Sequence, residues 1–417
     1  MTAAPLEGLV DHLFRHGAGR MVATLARIFG PEHLDLAQDV VQEALLTALT
    51  QWSYHGVPDN PGGWLFRVAR NKALDSLRRE ASLREKEPQI AESLRDLQRE
   101  EDLGFAHELR DDELRMMLMC CHPAISEESR IALTLKTVGG FSVDEIARAF
   151  LTQKTTIAQR LVRAKRTIRE EHLALDLPSR SELAERLDTV LRTIYLMFNE
   201  GYGAYAGEEL IRRDLCDEAI RLAEALTAHE ATHAPQVDAL LALMYLQAAR
   251  LDARVDATGE LAVLADQDRS LWDAAKIRAG LEALDRAASG DAITPYHVEA
   301  AIAACHTAAP SFEETDWLRV IELYDDLLAI RPSPVVVLNR AIALAMAHGP
   351  QAGIEAIGPL DRDPALREYV HLPATLGELW LRAGDRQRAA GYFAAALALP
   401  STAPAKRFLL RKIEQCR

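Results

Sequence analysis

A chain of 417 residues is too long for one ordinary hydrophobic core and calls for two to four domains. With 49% hydrophobic and 26% charged residues it is not a disordered chain, and no apolar run reaches the roughly 18 residues of a membrane span. The formal net charge of −14 means that a nucleic-acid partner must be met by a local field rather than by the whole molecule. Ala, Leu, Arg and Glu dominate and β-branched runs are short, so the expected fold class is all-α. The N-terminus lacks a signal-peptide core. The five cysteines (Cys120, Cys121, Cys216, Cys305 and Cys416) form no CxxC pair and read as reduced thiols of a cytoplasmic protein. Residues 1–180 hold about 24 basic and 27 acidic side chains against about 24 and 35 in the remainder, so the acid excess lies mainly in the second half.

Residues 6–29 carry apolar positions at helical spacing (Leu9, Val10, Leu13, Val22, Leu25, Ile28), and Gly30-Pro31 interrupts them. Leu34–Leu49 is a second predicted helix. Leu36, Val40, Leu45 and Leu49 share one face, with Asp35, Asp39, Gln42 and Glu43 mostly off it. The stretch SYHGVPDNPGG is a loop. From Trp64 to about Arg84 runs a basic helix with Arg67, Arg70, Lys72, Arg78 and Arg79, and with Trp64 and Phe66 at its start. Two readings of the rings stay open: they stack on unpaired bases beside cations that follow a backbone, or they belong to the core. Residues 85–113 hold about 11 acids against 4 bases and read as an acidic linker with some helix.

A second helical unit covers 114–175. Ser142 is placed to cap a short helix, with Glu145 three residues on completing a capping box. Ile146, Ala147 and Phe150 face inward. After a break at Leu151-Thr152 a second helix begins near Gln153 and keeps Ile157, Leu161 and Ile168 on its apolar side. Between Lys154 and Arg169 this helix has six basic residues and no acid. Two short helices with a small residue at their crossing make a helix-turn-helix, whose second helix enters the major groove. Its exposed side offers Lys154, Thr155, Thr156, Gln159, Arg163, Lys165 and Arg166. Arg reads guanine, Gln reads adenine, and the remaining cations neutralise phosphates. The turn lacks the customary glycine, since Leu151 stands there.

From 181 to 417 helix follows helix through short loops. LGELWLRAGDRQRAAGYFAAALALP (376–400) reads as a helical hairpin of tetratricopeptide (TPR) type, with Gly384-Asp385 at its turn; 317–349 is a looser one. Two segments stand out. YLMFNEGYGAY (195–205) is either a ligand cup, with Asn199 and Glu200 among Tyr195, Tyr202 and Tyr205, or the end of a buried helix. Asp266-Gln267-Asp268-Arg269 beside Trp272 is either an N-cap with local ion pairs or an interdomain contact. Cys120-Cys121-His122 reads as structural, because adjacent cysteines do not both reach one tetrahedral ion; no metal and no cofactor are expected. Nucleophile-elbow, zinc-protease, P-loop and dinucleotide motifs are absent from the sequence, so no enzymatic activity is expected.

The first 175 residues resemble an extracytoplasmic-function (group IV) sigma factor of the sigma-70 family. LAQDVVQEALLTAL resembles region 2.2, NPGGWLFRVARNKALDSLRR regions 2.3 and 2.4, and GFSVDEIARAFLTQKTTIAQRLVRAKRTIREE region 4.2. The resemblance implies a region 2 domain (1–84), a linker (85–113) and a region 4 helix-turn-helix (114–175), followed by a TPR-like extension (181–417). It implies that Asp39, Gln42 and Glu43 dock on the β′ clamp helices of core RNA polymerase. Trp64, Arg67, Arg70, Asn71, Lys72, Arg78 and Arg79 would open and read the −10 element, with Asn71 in the pocket of a flipped base. Lys154, Thr155, Thr156, Gln159, Arg160, Arg163 and Arg166 would read the −35 element; Ala158 and Val162 depart from the longer side chains of many members. CCHPAIS, YLMFNEGY and LADQDRSLW resemble the ECF42 subgroup, which implies control by the extension. Tyr195, Asn199, Glu200, Tyr202, Asp266, Asp268, Arg269 and Trp272 are then candidates for an interdomain or regulatory contact, and a protein or small ligand for the extension. Promoter DNA and core polymerase are the expected partners, with no membrane. Two rivals stay open on the residues alone: a helix-turn-helix regulator that acts without polymerase, and a TPR-type adaptor.

Overall fold

The computed structural model describes residues 17–79, 105–150, 152–178, 180–203, 210–256 and 259–417. Among them the regular elements are helices, with an isolated antiparallel bridge between Val255 and Leu261. None of these helices is long and apolar enough to cross a membrane. The chain divides into two compact units, Met1–Thr193 and Ile194–Arg417.

In the first unit, α1 (17–29) is followed by a 3-10 turn, Pro31–His33, and by α2 (Leu34–His55). The buried residues of α2 are Leu34, Ala37, Gln38, Val40, Val41, Ala44, Leu45, Ala48 and Trp52, which follow the 3.6-residue period and include the expected Val40 and Leu45. The sequence reading placed Leu36 and Leu49 on that face. Both are off it: Leu36 is half-buried and Leu49 is 36% exposed. Helix α3 (Pro61–Arg79) starts three residues before the expected Trp64. Pro61 is suited to a first turn, where its missing N–H costs nothing, and the Asn60 side chain accepts from the Gly63 N–H at 2.9 Å. The glycines read as loop are therefore helix.

Helix α4 (Phe105–Cys120) begins inside the stretch read as an acidic linker. Asp112 and Glu113 near its centre are buried acids, 1% and 2% exposed, and their partners come from α1. Arg20 Nε donates to Glu113 at 3.0 Å, and Arg27 forms an ion pair with Asp112 at 2.7 Å. Charge in this stretch does not mark solvent; it marks partners on another helix. Then come α5 (Glu127–Thr137), α6 (Val143–Ala149) and α7 (Lys154–Glu170), packed on one another. Gly19 of α1 meets the end of α5 so closely that a Cβ there would lie 2.1 Å from the Val138 carbonyl oxygen, so only glycine fits.

The division between the units falls within α8 (Arg180–Tyr202). Its first half, with Leu187, Val190 and Leu191 buried, counts with the first unit, although the sequence reading opened the extension at 181. The second unit continues with α9 (Arg213–Ala228), α10 (Pro235–Ala248), α11 (Ala274–Ala287), α12 (Pro295–Ala308), α13 (Trp317–Ile330), α14 (Pro334–His348), α15 (Pro350–Ile357), α16 (His371–Arg382), α17 (Arg386–Leu397) and α18 (Ala403–Gln415). Sequential helices pack on each other, so the core is a row of local clusters. The 376–400 hairpin forms as α16 and α17. Gly384 takes φ 87° at its turn, Asp385 accepts from the Arg388 N–H at 3.0 Å, and Gly377 lies against the fully buried Phe393 ring. A Cβ on Gly377 would stand 2.7 Å from that ring, so the small residue sets how closely the helices cross.

Candidate nucleic-acid interface

The helix-turn-helix is built as its sequence dictates. Ser142 and Glu145 form the reciprocal capping box: the Ser142 N–H donates to Glu145 Oε2 at 2.7 Å, and the Glu145 N–H donates to Ser142 Oγ at 3.1 Å. Ile146 and Ala147 are buried, and Ile157, Leu161, Ala164 and Ile168 seat α7 on α5 and α6. The turn residue Leu151 lies outside the described residues. With one stripe of α7 held in the core, the opposite stripe is fixed: Thr155, Ala158, Gln159, Val162, Arg163 and Arg166 are all exposed.

Charges on this helix divide into two groups. Arg163 is exposed, and its carbonyl accepts from Thr167 Oγ1 at 3.1 Å. Lys154 pairs with Asp144 and Arg166 with Glu170, but both pairs are solvent-exposed and worth at most about 1 kcal/mol each, so DNA phosphates can displace them. Arg160 is half-buried, its side chain 23% exposed, and pairs at 2.8 Å with Glu128, whose carboxylate is at the surface. Thr156 is half-buried. Lys165 is turned away from the exposed stripe. It bonds Gln38 Oε1 at 2.8 Å and pairs with Asp35, both on α2. Gln38 in turn donates to Thr137 Oγ1 at 3.1 Å, so the start of α2, the end of α5 and α7 are joined through one polar network. Val162, 64% exposed in the middle of the stripe, is the residue that charge-based reading undervalues. An apolar side chain there is the type that contacts a thymine methyl.

On α3, Arg67 and Asn71 are exposed one helical turn apart and share a face. Arg70 is half-buried, and the side chains of Arg78 and Arg79 lie outside the described residues. Phe66 is core, 4% exposed. Trp64 is half-buried with its ring 5.3 Å from that of Trp52. Of the two rings only Trp64 retains surface. Lys72 bonds Glu43 of α2 at 2.8 Å, which joins one residue expected to meet DNA to one expected to meet polymerase. Asp39, Gln42 and Glu43 are exposed, and they continue into Leu46, 64% exposed, and Tyr54, 82% exposed. An acidic strip with exposed apolar residues along it has the mixed character of a protein-binding surface.

The thiols of Cys120 and Cys121 are buried, and burial raises the pKa of both. Cys121 donates to Thr193 Oγ1 at 3.7 Å, and His122 Nδ1 accepts from the Ala124 N–H at 3.2 Å.

The candidate residues of the second unit have partners inside it. Tyr195 donates to Glu299 and packs edge-on to Tyr296, Glu200 pairs with Arg212, and Tyr202 stacks on Phe198 beneath the Arg254 guanidinium. Asn199 is exposed. Asp268 caps the turn Arg269–Leu271 by accepting from the Ser270 N–H at 2.9 Å, and Asp266 is exposed. Arg269 lies 4.3 Å over the buried Trp272 ring and donates to the carbonyls of His306 and Ala309. Burial, with the Arg250 and Arg269 guanidiniums beside it, pulls His306 down to about 4. The unfolded chain protonates this imidazole near 6.5, so its contribution is complete above that pH and is lost as the pH falls through 4. At pH 5 the loss amounts to about 2 kcal/mol. Glu200, raised by burial to about 7, shifts stability the other way over this range, so the readout is a difference: between pH 7 and pH 5 the wild type is expected to change less favourably than His306→Phe by about this amount in denaturant titrations, and equal pH dependence in the two proteins would remove His306 as the cause.

Residues 13–83 match the sigma-70 region 2 family, and residues 115–168 match sigma-70 region 4. Residues 186–288 match a family of unknown function, DUF6596. An uncharacterised protein of Rhizobium meliloti (strain 1021) is 38% identical over 412 residues, which cover 98% of this chain and 96% of that protein. No solved structure matches.

Proposed function

From a chain that belongs to the sigma-70 family, with region 2 followed by region 4 as in extracytoplasmic-function sigma factors, we propose a factor that directs core RNA polymerase to promoters by reading both a −10 and a −35 element. The observation that carries this reading is the α7 stripe: Thr155, Gln159, Val162, Arg163 and Arg166 exposed on a capped helix-turn-helix. Region 2 supports it with Arg67 and Asn71 on one face of α3, beside the half-exposed Trp64. In this reading the polymerase supplies the chemistry, and the sigma chain supplies recognition and holds unpaired bases.

The test is transcription in vitro from a cognate promoter. A bidentate Arg–guanine contact contributes roughly 1–3 kcal/mol, so Arg163→Ala is expected to lower promoter-specific transcription about tenfold or more. An unchanged rate and promoter preference would refute the assignment. Promoter binding by the purified chain at full affinity without core enzyme would instead favour a polymerase-independent regulator.

We read the second unit as a TPR-like regulatory extension of the ECF42 kind. The α16–α17 hairpin and its Gly377–Phe393 crossing support that reading. Tethering gives the extension an effective concentration in the millimolar range at the DNA-binding half. A chain ended after α8 is expected to transcribe less than the full chain, and equal transcription by the two would refute the regulatory role.

A further inference from the structure

The second unit holds a cavity of about 680 Å³ between the end of α12 with the loop after it, α13, α14, α16, α18 and the segment 261–265. Its floor is apolar: Val320, Ala343, Leu379 and Leu409 are buried there. Its walls add Ile342, Val370 and Leu264, each of which keeps part of its surface open to the cavity or to solvent. Side chains of this kind normally close on each other. Held apart by the helix backbones, they leave room for a molecule of about drug size, which is the usual range for small-molecule sites.

The polar groups around the cavity are unequal. Glu378 is engaged by Lys412 at 2.7 Å. The Arg269 guanidinium, just outside, is committed to the carbonyls of His306 and Ala309. His306 lines the wall with its Nδ1 buried and without a hydrogen-bond partner. Arg382 lies on the same helix as Glu378, one turn further on, and is exposed. Its guanidinium donates to the thioether sulfur of Met346 at 2.9 Å, a neutral and weak acceptor. A guanidinium at the rim of an apolar cavity selects an anionic head group, and a planar carboxylate matches its paired donors.

We infer that this cavity is a binding site for an apolar monocarboxylic acid, with the hydrocarbon or aromatic body on the Val320–Ala343–Leu379–Leu409 floor and the carboxylate on Arg382. The site lies wholly within the second unit, and the inference does not depend on promoter recognition. A ligand there bridges α14 and α16, which belong to successive helical hairpins, and so stiffens the array along its length.

The probe is 11-(dansylamino)undecanoic acid, titrated into the full-length chain and followed by dansyl emission. Dodecanoate, dodecylammonium and dodecanol serve as competitors below their micellar concentrations. Saturable binding of one probe per chain is expected, with dodecanoate displacing it at about tenfold lower concentration than dodecylammonium. Arg382→Gln is expected to weaken dodecanoate about tenfold and to leave dodecanol within about twofold, because it removes the charge and not the floor. Ile342→Trp, at a half-exposed wall position that tolerates a larger ring, is expected to weaken all three. Thermal unfolding of both variants checks that the fold is retained. Absence of saturable binding, preference for the amine, or an Arg382→Gln chain that binds dodecanoate normally would each overturn the inference. Normal binding by a folded Ile342→Trp chain would place the ligand elsewhere and overturn it too.

Discussion

Asp112→Ala is expected to lower the stability of the first unit by about 3 kcal/mol. The carboxylate is 1% exposed and meets two guanidiniums, Arg27 at 2.7 Å and Arg115 at 3.1 Å. Removing one member of a buried ion pair costs about 3–5 kcal/mol, because the remaining charge loses its partner without regaining water. Here the arginines are 32% and 28% exposed, so water reaches part of each, and the low end of the range applies. The Lys72–Glu43 pair is the contrast. With side chains 37% and 58% exposed, it contributes at most about 1 kcal/mol, and Lys72→Ala is expected to change stability little. Amide hydrogen exchange separates the first unit from the rest of the chain. In Asp112→Ala the protected amides of α1 and α4 are expected to exchange about a hundredfold faster, with α16 and α17 unchanged. A change under about fivefold would mean that the ion pairs do not hold α1 to α4.

That cluster also shows where sequence reading stops. Asp112 and Glu113 stand at the end of a run of acids, and local composition assigns such a run to solvent. What reverses the assignment is a partner about 90 residues away, Arg20 for Glu113, and no local window contains it. Lys165 misleads in the same manner. Its position in a basic helix points to DNA, whereas the packing of α7 turns it onto Asp35 and Gln38. By contrast, the helix-turn-helix was legible because its signals are local: a Ser-x-x-Glu box and a 3.6-residue apolar stripe decide both helices and therefore the exposed face. The α16–α17 hairpin was legible for the same reason, through Gly384, Asp385 and the small residue at the crossing. The start of α3 was misread because Pro61-Gly62-Gly63 has turn composition, and only the Asn60 cap makes it a first turn. The cavity of the second unit left no sequence signal, since its lining comes from six separated stretches, within 261–265, 306–313, 317–324, 339–346, 370–382 and 405–409.

Asp39→Arg combined with Glu43→Arg is expected to weaken association with core RNA polymerase at least about a hundredfold. The structure separates two roles along α2. Gln38 and Asp35 are engaged by Lys165, whereas Asp39, Gln42, Glu43 and Leu46 face solvent. A partner can therefore reach the second set without displacing α7. If this helix docks on core polymerase, its acidic strip calls for a basic counterpart, and reversing two charges turns attraction into like-charge contact, which costs several kcal/mol. Neither residue is in the core, and Glu43 gives up only the exposed pair with Lys72, so the variant is expected to fold. Leu46→Asp tests the apolar part of the strip independently: it adds a charge where an interface would have to desolvate it. Co-purification of tagged core enzyme with each variant gives the readout, with Arg163→Ala as a control that should still co-purify. Wild-type recovery of the double variant would move polymerase docking off α2. Loss of both variants with retention of Arg163→Ala would separate docking from promoter reading, and place them on α2 and α7 respectively.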